Sequence, residues 1–423
     1  MDKKTGLSLK NDLPGIFACA LAFFIPAFPS LVPLGAALIV VSLFIQPKKL
    51  KFHPQYRMFA FLFVAFYSCY VLGMMWNDHP KEGWFDLEVK LSFLIFPLVF
   101  LFHGPLKIQN LRILFACFVA GSLTATFICL YYGWKCYSSS GDANCFFAGN
   151  ITHSIHASYL SVYFCFACLI IVHSLINYAV RMSLWIKLVN FFLLIYFSVF
   201  VLLLSSKSGF LAFALVIVVS VIYYFYKNGK IKNILLGLTA LTLLTVLLFS
   251  FSSYVRARFV SVFETSKLSK EELFEQHRTS TESSAVRLMI WTVAKEIIED
   301  HPLGVGTGDN KSMLTQKYSE YGMTGALEKK LNCHNQFLET TISVGFQGLA
   351  ILVALLGYGM YEAIRKKNFL LLWVMAIITL SLFFESFFER QAGIVFFVFI
   401  TWVLFTSVPQ VFPVSDKTAS PGT

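Results

Sequence analysis

The sequence predicts an all-α, polytopic membrane protein of about twelve transmembrane helices with one large, helical extramembrane loop. Three observations predict it. Of 423 residues, 57% are hydrophobic and 13% charged, about half the charged share of a soluble domain. The apolar residues form runs of membrane-spanning character, at roughly 13–28, 31–45, 56–75, 89–102, 113–132, 155–176, 186–204, 210–226, 231–251, 336–361, 369–388 and 393–411. The loops between them divide into a basic class and a class poor in Lys and Arg. Of 34 basic residues, 18 lie in one set of loops, from Lys3, Lys4 and Lys10 to Arg365, Lys366, Lys367 and Lys417. Five lie in the short loops of the other set, and eleven in the long insert.

Short basic loops stay in the cytoplasm. Both termini are therefore expected inside, and the insert outside. This topology accounts for the net charge of +11 and leaves no nucleic-acid footprint. The chain divides into spans 1–9 (residues 1–251), an extramembrane loop (252–335), spans 10–12 (336–411) and a cytoplasmic tail (412–423).

Taken in order, the first run lacks a small-residue cleavage site and reads as a retained span. Pro26, Pro29 and Pro33 mark a tight hairpin between the first two spans. The loop from Trp76 to Val89 is acidic and reads as a solvated outer segment. The loop from Gly133 to Thr152 holds Cys136 and Cys145, which an oxidising compartment would allow to pair. Most other cysteines sit inside spans, and none has metal-ligand spacing, so no metal or cofactor is expected. His153 and His156 read as interfacial residues at the start of a helix. After the seventh span comes Ser205-Ser206-Lys207-Ser208-Gly209. Lys207 reads either as a snorkelling side chain or as a functional cation, because lysine is disfavoured in a short outside turn.

The insert opens with Arg256 and Arg258 and continues as a mixed-charge run to Glu282. From Ser283 the pattern turns helical. Val286, Met289, Ile290, Val293, Ile297 and Ile298 recur at helical spacing, and Pro302 stops the helix. Arg287 and Trp291, four residues apart, share one face. The glycine run Gly304-Val305-Gly306-Thr307-Gly308-Asp309 matches neither a Walker loop nor a dinucleotide fingerprint. It reads as a turn, with an anion nest as the alternative.

His334 and Asn335 sit at the mouth of the tenth span, where the helix dipole favours a neutral imidazole able to accept a proton. The same pair also reads as a plain polar cap. Glu385, Glu389 and Arg390 crowd the turn between the last two spans among Phe side chains. Charges there need partners, and Glu389 with Arg390 is one available pair.

Arg287 with Trp291, the run His301-Pro302-Leu303-Gly304-Val305-Gly306, His334-Asn335, Leu338-Glu339, Gly345 with Gly348, and Glu385 followed by Glu389-Arg390 and Gly393 carry a family resemblance. In their order and spacing the chain resembles the O-antigen ligase and polymerase superfamily of bacterial inner-membrane glycosyltransferases, with a GT-C-like fold. The resemblance implies transfer of a glycan from undecaprenyl diphosphate to a hydroxyl of lipid A–core at the periplasmic face, by inversion and without metal or nucleotide. It maps the family's loop arginine onto Arg287 and its histidine, as general base, onto His334. At the second arginine position this sequence has Lys207, which keeps the charge but lacks the planar fork that grips phosphate. Asn335, Arg256, Arg258, Glu385, Arg390 and Trp291 are expected to bind substrate. Membrane lipid is an expected partner, and nucleic acid is not.

Four alternatives stand beside the ligase. A polymerase or a protein O-oligosaccharyltransferase of the same superfamily would share Arg287 and His334. A lipid-linked-glycan transporter would instead place charges near the bilayer midplane, whereas here they gather at the outer edge. A purely structural polytopic protein would use the same His, Arg and Lys as interfacial anchors.

Overall fold

A computed structural model describes residues 12–45, 50–204, 206–229, 267–281 and 284–411, apart from the side chains of Ile108, Lys207 and 407–411. Its helices are α1 (Leu13–Ala27), α2 (Val32–Ile45), α3 (Arg57–Gly73), α4 (Pro80–Lys90), α5 (Ser92–His103), α6 (Ile108–Ser140), α7 (Ala157–Tyr178), α8 (Leu184–Leu204) and α9 (Lys207–Lys227). Four helices follow in the polar insert, α10 (Lys270–His277), α11 (Ser284–Asp300), α12 (Asn310–Glu320) and α13 (Thr324–Lys329). The chain then returns to apolar helix as α14 (Gln336–Arg365), α15 (Phe369–Leu382) and α16 (Gln391–Val411).

The protein is all-α and polytopic. Among the described residues, six helices are long and apolar enough to cross a membrane, and four shorter apolar helices accompany them. The expected ninth span, 231–251, lies outside the described residues; each of the other apolar runs has a helix. In lipid the backbone must satisfy its own polar groups, which is why these runs become helices. α1 packs on α2 and α6, α7 on α8 and α9, and α3 on α5 and α14. Phe59, Phe63, Phe93, Phe397, Trp402 and Phe405 fill the centre with edge-on and tilted ring contacts. Where lipid is as apolar as the side chains, close packing of this kind holds helices together. α8 shows the opposite face, with Trp185, Leu188, Phe191, Phe192 and Ile195 exposed, as a lipid-facing helix should be.

α10 to α13 form a cap over one end of the bundle, with a core of their own. The helical spacing read from the sequence buries Val286, Met289, Ile290, Val293 and Ile297 against Leu273, Phe274 and Tyr318. Ser269 and Glu272 close a capping box on α10. Cys136, near the end of α6, and Cys145, in the turn that follows it, are joined in a disulfide.

The cap is fastened to the bundle by a break in α14 that periodicity did not reveal. Val344 and Gly345 leave helical geometry, Gly345 at φ 70° and ψ −172°. The break frees the carbonyls of Ile342 and Ser343, and the N–H groups of Val305 and Gly306 take them up at 2.8 and 3.1 Å. Phe346 N–H donates in turn to the Pro302 carbonyl. Broken membrane helices are tolerated only when their freed groups find partners, and here the glycine run supplies them. The N–H groups of Gly304 to Thr307 are thus occupied, that of Thr307 by the Gly73 carbonyl, and the run acts as a structural clasp. Asp309 completes it by accepting from the backbone N–H groups of Asp78 and His79 and pairing with the His79 ring.

Candidate active site

The site is built on three elements that meet where the cap joins the bundle. α11 brings Arg287, the 332–335 segment before α14 brings His334, and the turn between α15 and α16 brings Glu385. Arg287 lies one turn into α11, whose apolar stripe is locked into the cap core. Its Nη1 donates to the Phe384 carbonyl at 2.8 Å, and its Nη2 is 3.9 Å from Glu385 Oε2.

His334 precedes the helix cap rather than forming it. Asn335 is the N-cap, its Oδ1 accepting from Phe337 and Leu338 N–H at 3.0 and 3.2 Å. That oxygen, expected at substrate, is committed to the helix. His334 has φ +46°, uncommon for a residue with a side chain, and strain of this kind gathers at functional sites. Its neighbours hold it there. His334 N–H donates to Asn332 Oδ1, Trp291 Nε1 donates to the Cys333 carbonyl, and Cys333 N–H donates to Glu339. Trp291, expected to touch substrate, is spent on orienting the histidine segment.

Glu385 is the hub. Its Oε1 lies 3.5 Å from His334 Nδ1, and its Oε2 accepts from Ser158 Oγ at 3.2 Å. At 3.5 Å the histidine contact is electrostatic rather than a tight hydrogen bond. Burial pushes the Glu385 carboxyl up, but the facing His334 and the charges of Arg287 and His156 outweigh it and hold the pKa below the usual glutamate value. A depressed folded-state pKa stabilises the fold above the unfolded value, and that stability is lost as pH falls through the folded value. Thermal unfolding should therefore show an acid-side loss of stability that Glu385→Gln removes.

Ser206 links α9 to the same hub. It caps α9 through Gly209 N–H and donates to Ser158 Oγ at 3.3 Å, so the helix that begins at Lys207 starts two hydrogen bonds from Glu385. The side chain of Lys207 lies outside the described residues, as do Arg256 and Arg258. A cavity of about 900 Å³ is walled in part by His156, Asn332, Glu389 and Arg390, neighbours in sequence of Ser158, His334 and Glu385, which are not themselves in its wall.

Residues 191–353 match the family model described as O-antigen ligase. Over these residues the chain is similar to the O-antigen ligase family. No curated protein matches it. The match covers Lys207, Arg287 and His334 and ends before Glu385 and Arg390, so the part taken by Glu385 rests on geometry alone. Family members are enzymes that join glycans, as ligases or polymerases.

Sequence reading missed several groups that the fold gathers. Ser158 lies one turn past histidines dismissed as helix-end residues, and of these His156 caps α7 and lines the cavity. Glu389 does not pair with Arg390: its carboxylate takes Lys90 Nζ at 2.9 Å and Gln336 Nε2 at 3.2 Å. Arg390 stands on the cavity wall instead. Buried charge in an apolar helix end was the one available signal.

Proposed function

We propose that the protein is an O-antigen ligase of the bacterial inner membrane, acting at the periplasmic face, with both termini in the cytoplasm. The donor is a glycan on undecaprenyl diphosphate, and the acceptor a hydroxyl of lipid A–core. The observation that carries the reading is Glu385 within 4 Å of both the loop arginine and the loop histidine, residues from separate elements.

The acceptor oxygen attacks the anomeric carbon from the face opposite the diphosphate. The bond from that carbon to the phosphate oxygen breaks, and its electron pair leaves with the lipid diphosphate. The acceptor proton passes to His334. Glu385 opposite Nδ1 favours the tautomer protonated there and leaves Nε2 to accept. Arg287 and Lys207 stabilise the negative charge that develops on the leaving group, so no metal is required. The acceptor sugar approaches through the cavity beside Asn332 and Arg390. Polymerase and protein O-oligosaccharyltransferase activity would use the same groups and differ only in what fills that cavity.

Reconstitution with a defined lipid-linked donor and lipid A–core tests the reading. Product should form in the presence of a chelator. Chelator-sensitive turnover contradicts the metal-free mechanism, and product formed only on lipid-linked glycan or on protein reassigns the acceptor. Lys207→Arg should keep or improve turnover if the position contacts phosphate, since arginine grips it in a fork. Loss of turnover in that variant would point instead to a geometry specific to lysine, and full turnover in Lys207→Ala would remove Lys207 from the donor site.

A further inference from the structure

One charge near the site has no part in the mechanism above. Lys90, the last residue of α4, is 1% exposed, and a lysine so enclosed is rare unless paired. Its ammonium lies 2.9 Å from Glu389 Oε2 and 3.8 Å from Asp86 Oδ2, over the face of Tyr70. Glu389 Oε1 accepts from Gln336 Nε2, and Gln336 Oε1 accepts from Phe388 N–H at 2.6 Å. Gln336 opens α14, two residues beyond His334, and Phe388 and Glu389 belong to the turn that carries Glu385. The turn and the histidine segment are thus stitched together by Gln336, and the stitch is anchored from below by Lys90.

We propose that Lys90 is a positioning residue for transfer: the pair between its buried ammonium and the partly buried Glu389 sets the register between the 383–390 turn and the His334 segment, and so the placement of Glu385 against His334. This rests on His334 acting as base with Glu385 behind it. Lys90 reaches neither substrate, so its effect travels only through Glu389 and Gln336. Buried ion pairs are weak contributors to stability, whereas removing one partner strands the other. Such a pair is better suited to fixing a geometry than to holding the fold.

The test is steady-state transfer by the full-length protein in lipid. Lys90→Met should lower kcat at least tenfold with the KM for donor and acceptor unchanged. Glu389→Gln alongside Lys90→Met leaves a neutral amide whose oxygen still accepts from Gln336, and should restore turnover to within a few-fold of wild type. In a Glu385→Gln background Lys90→Met should have little further effect, because the group it positions is already gone. Wild-type kcat in Lys90→Met, an undiminished loss in the Glu385→Gln background, or a folded double variant as slow as the single one each overturns the proposal. Should Lys90→Met fail to accumulate, the double variant carries the test. Activity in His334→Ala removes the base itself. An inactive His334→Ala with a normal Lys90→Met removes only the role of Lys90.

Discussion

His334→Ala is expected to lower kcat by about 10²–10⁴-fold, the usual contribution of a positioned general base, while the protein still folds and still binds donor. Little in the fold depends on the imidazole. The backbone of the segment is fixed by Asn332, Trp291 and Glu339, and the helix cap belongs to Asn335. Arg287→Ala should act differently. It removes the charge proposed to face the developing diphosphate and also a hydrogen bond to the Phe384 carbonyl, so donor affinity should fall together with kcat. Isothermal binding of the lipid-linked donor, alongside turnover, separates the two. Tight binding without turnover marks the base, and loss of both marks the cation. Equal behaviour of the two variants in both measurements would contradict the division of roles.

Gly345→Ala should be the most damaging single substitution to the fold. At φ 70° and ψ −172° the residue occupies backbone space that is essentially glycine-only, at about 1–3 kcal/mol for any side chain. An added Cβ would also lie 2.4 Å from the Leu303 carbonyl carbon. Backbone cannot yield there without opening the bonds from Val305, Gly306 and Phe346 that seal the break, and overpacking of this kind costs about 1–3 kcal/mol more. Gly357, in the same helix, is the control: an added Cβ meets nothing within 4 Å, and alanine should stabilise it by about 1 kcal/mol. Unfolding in detergent should therefore move in opposite directions for the two variants. Equal effects would show that the clasp does not hold the cap.

The fold was legible where physics is periodic. Apolar runs gave the bundle helices, and the stripe from Val286 to Ile297 gave α11, because burial acts on every third or fourth residue. Lys/Arg asymmetry gave an expected orientation by the same kind of regularity. Arg287 and His334 were legible as candidates because their residue types suit the chemistry and their order carried a resemblance. What stayed hidden depends on contacts distant in sequence. Nothing near Ser158 announces a bond to Glu385 across 227 positions, and nothing near Lys90 announces Glu389 across 299. Gly345 was visible as a glycine, but its break in α14 makes sense only beside the carbonyls that the 302–306 run receives. Glu389 with Arg390 was the nearest pair in sequence, and the fold chose Lys90 because α4 ends beneath the turn.

The central claim is that donor diphosphate is held between α11, the start of α9 and the His334 segment. A photoreactive undecaprenyl-diphosphate analogue, cross-linked in native membranes and mapped by peptide sequencing, tests it most directly. Labelling should fall on the peptides carrying Arg287, Lys207 and His334, and should be competed away by unmodified donor. Competable labelling confined to α1, α2 or the loops of the basic class would place the donor elsewhere and contradict the account.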